Sequence, residues 1–403
     1  MNASELDTLV ASLQQSRGLA HKRDIADVVT TLGIAGDAMT AERAIAVGDD
    51  CAAIPDPNGN GYLLFAIEGF ISEFVRSDPW FAGWCGVMVN VSDIYAMGGR
   101  PIAVTDAIWD RSDASMQPVL KGLAAAAQTY AVPIVGGHSN ARSDSAQLAV
   151  AILGRAQKLL TSFDARAGDV LVAAIDLRGD YRAPYPHWNA ATHAVDTGVT
   201  HTGVANTAAA QRLRDDLEIL PQLAEAGLCK AAKDISQAGV LGTALMLLEC
   251  SGIGAVIDVD AVPRPFGVDH ARWLLQTFPS YGFLLAVPPA HLSEVLNAFD
   301  ARDISCSPIG YCDEDRRLRL RSERLERCAW DLRETAVIGC GSTAHIEPSA
   351  HVDGEDGTAT DAAVPAPPIS DTPTSDIPKH DTPITDTAMS PALTPALRLV
   401  TGG

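Results

Sequence analysis

Four polar clusters stand directly after or inside apolar segments of this chain: Gly48-Asp49-Asp50-Cys51, Asn90 with Asp93 in N-V-S-D-I-Y-A-M-G-G-R-P, Gly136-Gly137-His138-Ser139, and Asp234 in K-D-I-S-Q-A-G. An apolar segment is driven into a core, so acids, amides and bare glycines attached to it are carried to the rim of that core. Carboxylate oxygens suit a hard cation, and exposed glycine N–H groups suit phosphate oxygens. Together the two kinds of cluster imply a metal-bridged phosphate site.

The segments between the clusters alternate in period. Leu6, Leu9, Val10 and Leu13 recur at helical spacing and predict a helix that ends near Gly18. The basic stretch Ala20 to Asp24, with Lys22, then reads as a mobile arm. Ala44 to Val47 and Tyr62 to Ile67 read as strands around the turn D-P-N-G-N-G. From Pro79 a helix follows, with Trp84, Val87, Met88, Val91 and Tyr95 on one stripe. Asn90 and Asp93 fall about 60° apart on the other side of that helix, facing away from the main core.

Strands at Ile102 to Ala107, Val132 to Val135 and Gln147 to Leu153, with a helix from about Ser115 to Tyr130, complete an alternating pattern. The reading is α/β (α+β) in two domains. A helix and basic arm occupy 1–40, a first domain 41–158 and a second 159–322. Residues 338–403 form a disordered tail rich in Pro, Thr and Asp, in which Asp371, Asp376, Asp381 and Asp386 repeat every five residues. The segment Asp176 to Asp196, with Arg178, Tyr181, Arg182, Tyr185, His187 and Trp188, reads as a long loop: either a binding loop or a surface excursion that carries aromatics.

Charge bears on partners. The formal charge is -20, and the tail from Cys340 holds nine acids against Lys379 and Arg398, so about two thirds of the excess stays on the body. No nucleic acid is expected as partner, since it would need a basic footprint. The amino terminus carries acids where a secretory signal has bases, and no apolar run reaches the roughly 20 residues that span a bilayer. The expected location is cytoplasmic, with no membrane partner. Eight cysteines lack C-x-x-C spacing, which argues for reduced thiols over a zinc site or disulfide scaffold.

Each cluster also has a plainer account. G-D-D-C-A is equally the composition of a surface turn. Glu68, at the end of its strand, offers a third carboxylate or is a strand-end acid. Gly136 and Gly137 follow V-P-I-V at the end of a predicted buried strand, and either admit a phosphate or serve a tight turn. His138 can donate to a phosphate or substrate, or be structural.

Read in order, the motifs resemble the superfamily of aminoimidazole ribonucleotide (AIR) synthase, thiamine-monophosphate kinase, selenophosphate synthetase and the hydrogenase maturation carbamoyl dehydratase. The segment carrying this likeness runs from about Gly48 to Gly310 and is most similar to AIR synthase-related proteins. Gly48-Asp49-Asp50 is similar to the kinase motif G-D-D-A-A, with Glu68 where the family has aspartate. N-V-S-D-I-Y-A-M-G-G-R-P and G-G-H-S are similar to selenophosphate synthetase segments.

This resemblance implies an amino-terminal domain whose strands pair across a homodimer into a β-barrel, a carboxyl-terminal α/β domain, and ATP with Mg2+ in the cleft. By position it implies Asp49, Asp50, Glu68, Asp93 and Asp234 as metal or ATP-phosphate ligands. Asn90 would contact the nucleotide, and Gly136, Gly137 and Ser139 would hold phosphate. His138 and Lys22 are the expected catalytic groups. The implied activity is transfer of the γ-phosphoryl group to a small metabolite. Gln237 and His138 stand where thiamine-monophosphate kinases carry acids, and the cysteine arm of selenophosphate synthetase is absent. Two competing readings follow, thiamine-phosphate kinase proper and a nucleotide-binding protein without turnover.

Overall fold

The structure, a computed structural model, describes residues 1–32, 47–57, 59–192 and 207–340. Most of the strand expected at Ala44 to Val47, the end of the 176–196 segment and the tail from 341 onward lie outside the described residues.

The chain opens with two helices, α1 (Ala3–Gln14) and α2 (Arg17–Leu32). Asn2 caps α1 through the N–H of Glu5, whose carboxylate returns to the Asn2 N–H, so two orphan donors are satisfied reciprocally. The basic stretch expected to be an arm is therefore helical. Leu19 and Val29 hold α2 in a core, as Leu6, Leu9 and Leu13 hold α1.

A five-stranded sheet follows, built from β1 (Ala52–Pro55), β2 (Tyr62–Phe70), β3 (Arg100–Trp109), β4 (Ile134–Asn140) and β5 (Gln147–Ala156), in the order β1-β2-β5-β3-β4. All neighbours are antiparallel except the parallel pair β3 and β4. Between these strands run the helices α3 (Ser72–Ser77), α4 (Pro79–Ala96) and α5 (Asp113–Tyr130). One face of the sheet, carrying Leu64, Ala66, Leu148, Val150 and Ile152, is buried in a core that includes Trp84, Val87 and Val91 of α4. The alternate residues Phe65, Ile67 and Leu153 are exposed, because only one sheet face is covered.

A second, seven-stranded sheet uses β6 (Val170–Ile175), β9 (Ala231–Asp234), β10 (Gly254–Asp258), β12 (Gly282–Val287), β13 (Ser305–Asp313), β14 (Arg317–Ser322) and β15 (Leu325–Asp331), in the order β15-β14-β10-β13-β6-β12-β9. Its central strands are buried on both faces. Val172, Ala174, Phe283 and Leu285 join the first core, while Leu171, Ala173, Leu284 and Ala286 join a second core with α1 and α2. That two-sided burial is why V-L-V-A-A-I and G-F-L-L-A-V are unbroken apolar runs rather than alternating ones. The connecting helices are α6 (Thr207–Leu217), α7 (Ile219–Ala226), α8 (Gly239–Ser251), α9 (His270–Leu275) and α10 (Leu292–Asp300).

A small sheet of β7 (Asp180–Tyr181), β8 (His187–Asn189) and β11 (Phe278–Pro279) organises the predicted loop. Trp188 is buried against Trp273 at 5.4 Å, and His187 lies between Phe81 and Phe278 at 5.1 and 4.8 Å. Arg182 pairs with Asp78 at 2.9 Å, and Arg178 with Asp176 at 2.8 Å. These aromatics pack, these arginines pair, and His187, Trp188 and Asn189 are buried, so the described part of the segment is a packed element rather than a surface excursion.

Two boundaries shift. Ile338 and Cys340, assigned to the tail, are buried, because Glu249 accepts the N–H groups of Val337 and Ile338 at 2.8 and 2.7 Å. The strand expected at Val132 to Val135 starts at Ile134 and runs on through both glycines as an exposed edge. Among the described residues no helix is long and apolar enough to cross a membrane.

Candidate functional site

Asp50 sits just before β1, Asp93 on α4 and Asp234 at the end of β9. One carboxylate oxygen from each lies within 4.8 Å of the other two. α4 is apolar on nearly every side and buried along its length, so Asp93 is dragged into protein with it rather than facing out on a polar side. Its Oδ2 is buried and has no hydrogen-bond partner. Loss of hydration pushes the Asp93 carboxyl well above the usual range, and the charges of Asp234, Glu68 and Asp50 push it further. Asp234 is raised by the same causes, burial first and Asp50 next.

Three hard oxygen donors forced together, one with an orphaned oxygen, fit a divalent cation such as Mg2+, whose charge would remove both the repulsion and the desolvation penalty. The residues that would hold it are Asp50, Asp93 and Asp234.

The other expected residues are placed as follows. Asp49 is turned elsewhere: Gly48, at φ +119°, opens the bend, and both Asp49 oxygens accept from Ser162, its N–H and its hydroxyl each at 2.7 Å. Its carboxyl is pushed up to about 6 by burial, with Lys233 opposing and Asp50 adding to the shift. It ties the 47–51 bend to the segment after β5 and stands outside the three-acid cluster. Glu68 is exposed at the end of β2, yet its charge acts on Asp93 and Asp234, so it borders the cluster.

The Asn90 amide oxygen, like Asp93 Oδ2, is buried without a hydrogen-bond partner. The residue is wholly buried, and its Nδ2 donates to the carbonyls of Gly86 at 2.8 Å and Val150 at 3.1 Å. Its work is to pin α4 to β5 one turn before Asp93. Lys22 lies on α2, close enough that its charge opposes the burial that raises the Glu68 and Asp234 carboxyls. The start of α2 rests on the turn after Asp234, where a Cβ on Gly18 would come 2.9 Å from the Gln237 carbonyl.

The G-G-H-S segment is not a turn. Gly136 to Ser139 pair in parallel with Thr105 to Ile108. A Cβ on Gly137 would lie 2.6 Å from an Asp106 carboxylate oxygen, so that glycine clears space for Asp106. His138 pairs with Ala107, on the face opposite Val104 and Ile108, and lies tilted beside Trp109 at 5.9 Å. That is the sheet face away from α4 and its Asp93. Ser139 is on the same exposed edge strand.

Two residues given no role in the sequence reading belong here. Lys233 is buried, and its Nζ donates to Asp50. A lysine inside the short apolar strand A-A-K-D was the available signal. Asp106 stands opposite Val150, which on its other side stands opposite Glu68, so both acids share one rung of the sheet.

Comparison with known proteins bears on this geometry. The models of the AIR synthase related protein N-terminal and C-terminal domains match residues 48–156 and 166–323. An uncharacterised protein of Synechocystis sp. is 45% identical over 338 residues, covering 83% of this chain and 98% of its own length. The thiamine-monophosphate kinase of Synechococcus elongatus is 28% identical over 241 residues, 56% of this chain and 71% of that protein. Among solved structures, AaThiL complexed with AMPPCP and TMP superposes with a TM-score of 0.54 at 20% identity, over 75% of this chain and 93% of that one; at such identity the likeness is one of fold.

Proposed function

The chain belongs to the AIR synthase related family, and on that premise we propose that it is a magnesium-dependent, ATP-using phosphotransferase acting on a small metabolite. One observation carries the reading: Asp50, Asp93 and Asp234, from three distant segments, meet within 4.8 Å, and a buried Asp93 oxygen is left without a partner. Most buried polar groups find a partner, and an orphaned carboxylate oxygen within a cluster of three acids is the kind of group a cation satisfies. A bound Mg2+ would neutralise charge developing on the phosphoryl oxygens.

The chain's own residues divide the remaining work. Asp50, Asp93 and Asp234 fix the cation; Lys22 and Lys233 supply positive charge for phosphate oxygens; Asn90 and Asp49 hold the ligand-bearing segments in register. In the transfer, an acceptor oxygen bonds to the γ-phosphorus as the bond to the bridging oxygen breaks, leaving ADP. A similar fold complexed with AMPPCP and TMP supports a nucleotide and a small co-substrate as ligands.

The same reading includes a homodimer. Phe65 stands opposite Leu153 on the uncovered face of the first sheet, and Ile54 and Ile67 are also exposed there. A second copy of that face is the cover that would bury it.

The test is ADP formation by the purified chain with ATP, Mg2+ and a panel of small metabolites, alongside Mg-ATP binding by D50N and D93N. Acceptor-dependent ADP release is expected, with Mg-ATP affinity at least about tenfold weaker in both variants. Binding without turnover under every condition would favour the non-catalytic reading; unchanged affinity in both variants would remove the site.

A further inference from the structure

The acid cluster contains its own cation. Lys233 is 5% exposed, and its Nζ donates to Asp50 Oδ1, while Asp50 Oδ2 accepts the Asp234 N–H at 3.3 Å. Both Asp50 oxygens thus have donors from the chain itself. Asp49, Asp50 and Asp234 all act on the ammonium. We propose that Lys233 is a resident counter-cation that holds the three-acid cluster together and keeps its divalent-ion affinity low until nucleotide phosphate arrives, so that ion and nucleotide load together. This rests on the phosphotransferase reading and deepens it.

The reason is charge at short range. A dication joining Asp50, Asp93 and Asp234 must share Asp50 with an ammonium that is buried and cannot leave for water. The repulsion is screened far less there than at a surface. A lysine is a point charge on a flexible stem, so it can re-aim without leaving the protein. Triphosphate oxygens beside the cluster would give Lys233 a new anionic partner. The group that opposed the ion then supports the ion and nucleotide as a pair, which is positive coupling between two ligands.

The experiment uses the full chain, Mn2+ as probe with free Mn2+ read by electron paramagnetic resonance, and AMPPCP as nucleotide. In the wild type, Mn2+ should bind weakly alone and much more tightly with AMPPCP. K233M and K233Q should bind Mn2+ alone about tenfold or more tighter than wild type, with the gain from AMPPCP reduced, while K233R, which keeps the charge, should bind Mn2+ alone no more tightly than wild type. Two neutral variants are used so that one failing to fold leaves the other, each checked by circular dichroism. Folded neutral variants with nucleotide-free Mn2+ affinity equal to or below wild type would overturn the role of Lys233. D93N separates the two levels: loss of Mn2+ binding in every background supports the cation site, whereas binding indifferent to D93N overturns the site and the inference together.

Discussion

At the scale of single residues, the cluster shows stability held back for binding. Asp93 is 6% exposed, with an unpartnered Oδ2 and three carboxylates acting on it. Asp93→Asn keeps the shape and removes the charge. We expect D93N in EDTA to be more stable than wild type by about 0.5 to 2 kcal/mol, and to lose any stabilisation by Mg2+. Thermal melting with and without the ion measures both; a D93N protein that melts lower in EDTA would contradict the account. Asp49 and Asp50 are neighbours in sequence with different tasks. On a strand they would point to opposite sides, and the Gly48 bend sends one to Ser162 and the other to Lys233. The motif showed two acids, but which of them reaches the cluster depends on a partner 113 residues away.

At the scale of elements, β7 and β8 strap the second domain to α3 and α4. Arg182 pairs with Asp78 and lies 4.3 Å over the Phe81 ring. His187 beside it has no partner on either ring nitrogen, and burial, helped by the Arg182 charge, lowers its pKa to about 3. The folded state thus keeps His187 neutral where an unfolded chain takes up a proton below about 6.5. Stability from this group is intact above pH 6.5 and is lost as pH falls toward 3, at a limiting slope of about 1.4 kcal/mol per pH unit. H187L should resist urea much like wild type at pH 7 and progressively better than wild type toward pH 5. Parallel losses in the two proteins would sink the assignment. The aromatic content of this segment was visible in the sequence. Its packing was not, because the strands are two and three residues long and β8 pairs with β11 some ninety residues on.

At the scale of the whole molecule, the exposed face of the first sheet is the largest departure from a self-contained core. Phe65 and Ile67 are 49% and 65% exposed on a strand whose other face is buried. Phe65→Glu with Ile67→Glu places like charges where a second copy would sit. The wild type should elute as a dimer in size exclusion with light scattering, and the double variant as a folded monomer without loss of thermal stability. A wild-type monomer, or an unaffected dimer, would end that part of the reading. Nucleotide binding by the monomer would further tell whether the second copy contributes to the site.

Residues alone determined most of the elements of the first half and their mixed α/β order, because hydrophobic period is a local property: β2, α4, α5 and β5 are all legible in it. The same letters named the three acids that meet, since each ends or interrupts an apolar segment. Only the tertiary structure decided how they are used. Asn90 went inward because the segment it sits on is covered on every side; G-G-H-S became an edge strand because β3 offered it a partner; Lys22 lost its mobile arm because Leu19 and Val29 had a core to enter. Lys233 mattered because β9 lies at the end of its sheet beside the 47–51 bend. Burial, pairing and proximity are relations between distant segments, and no window of sequence contains them.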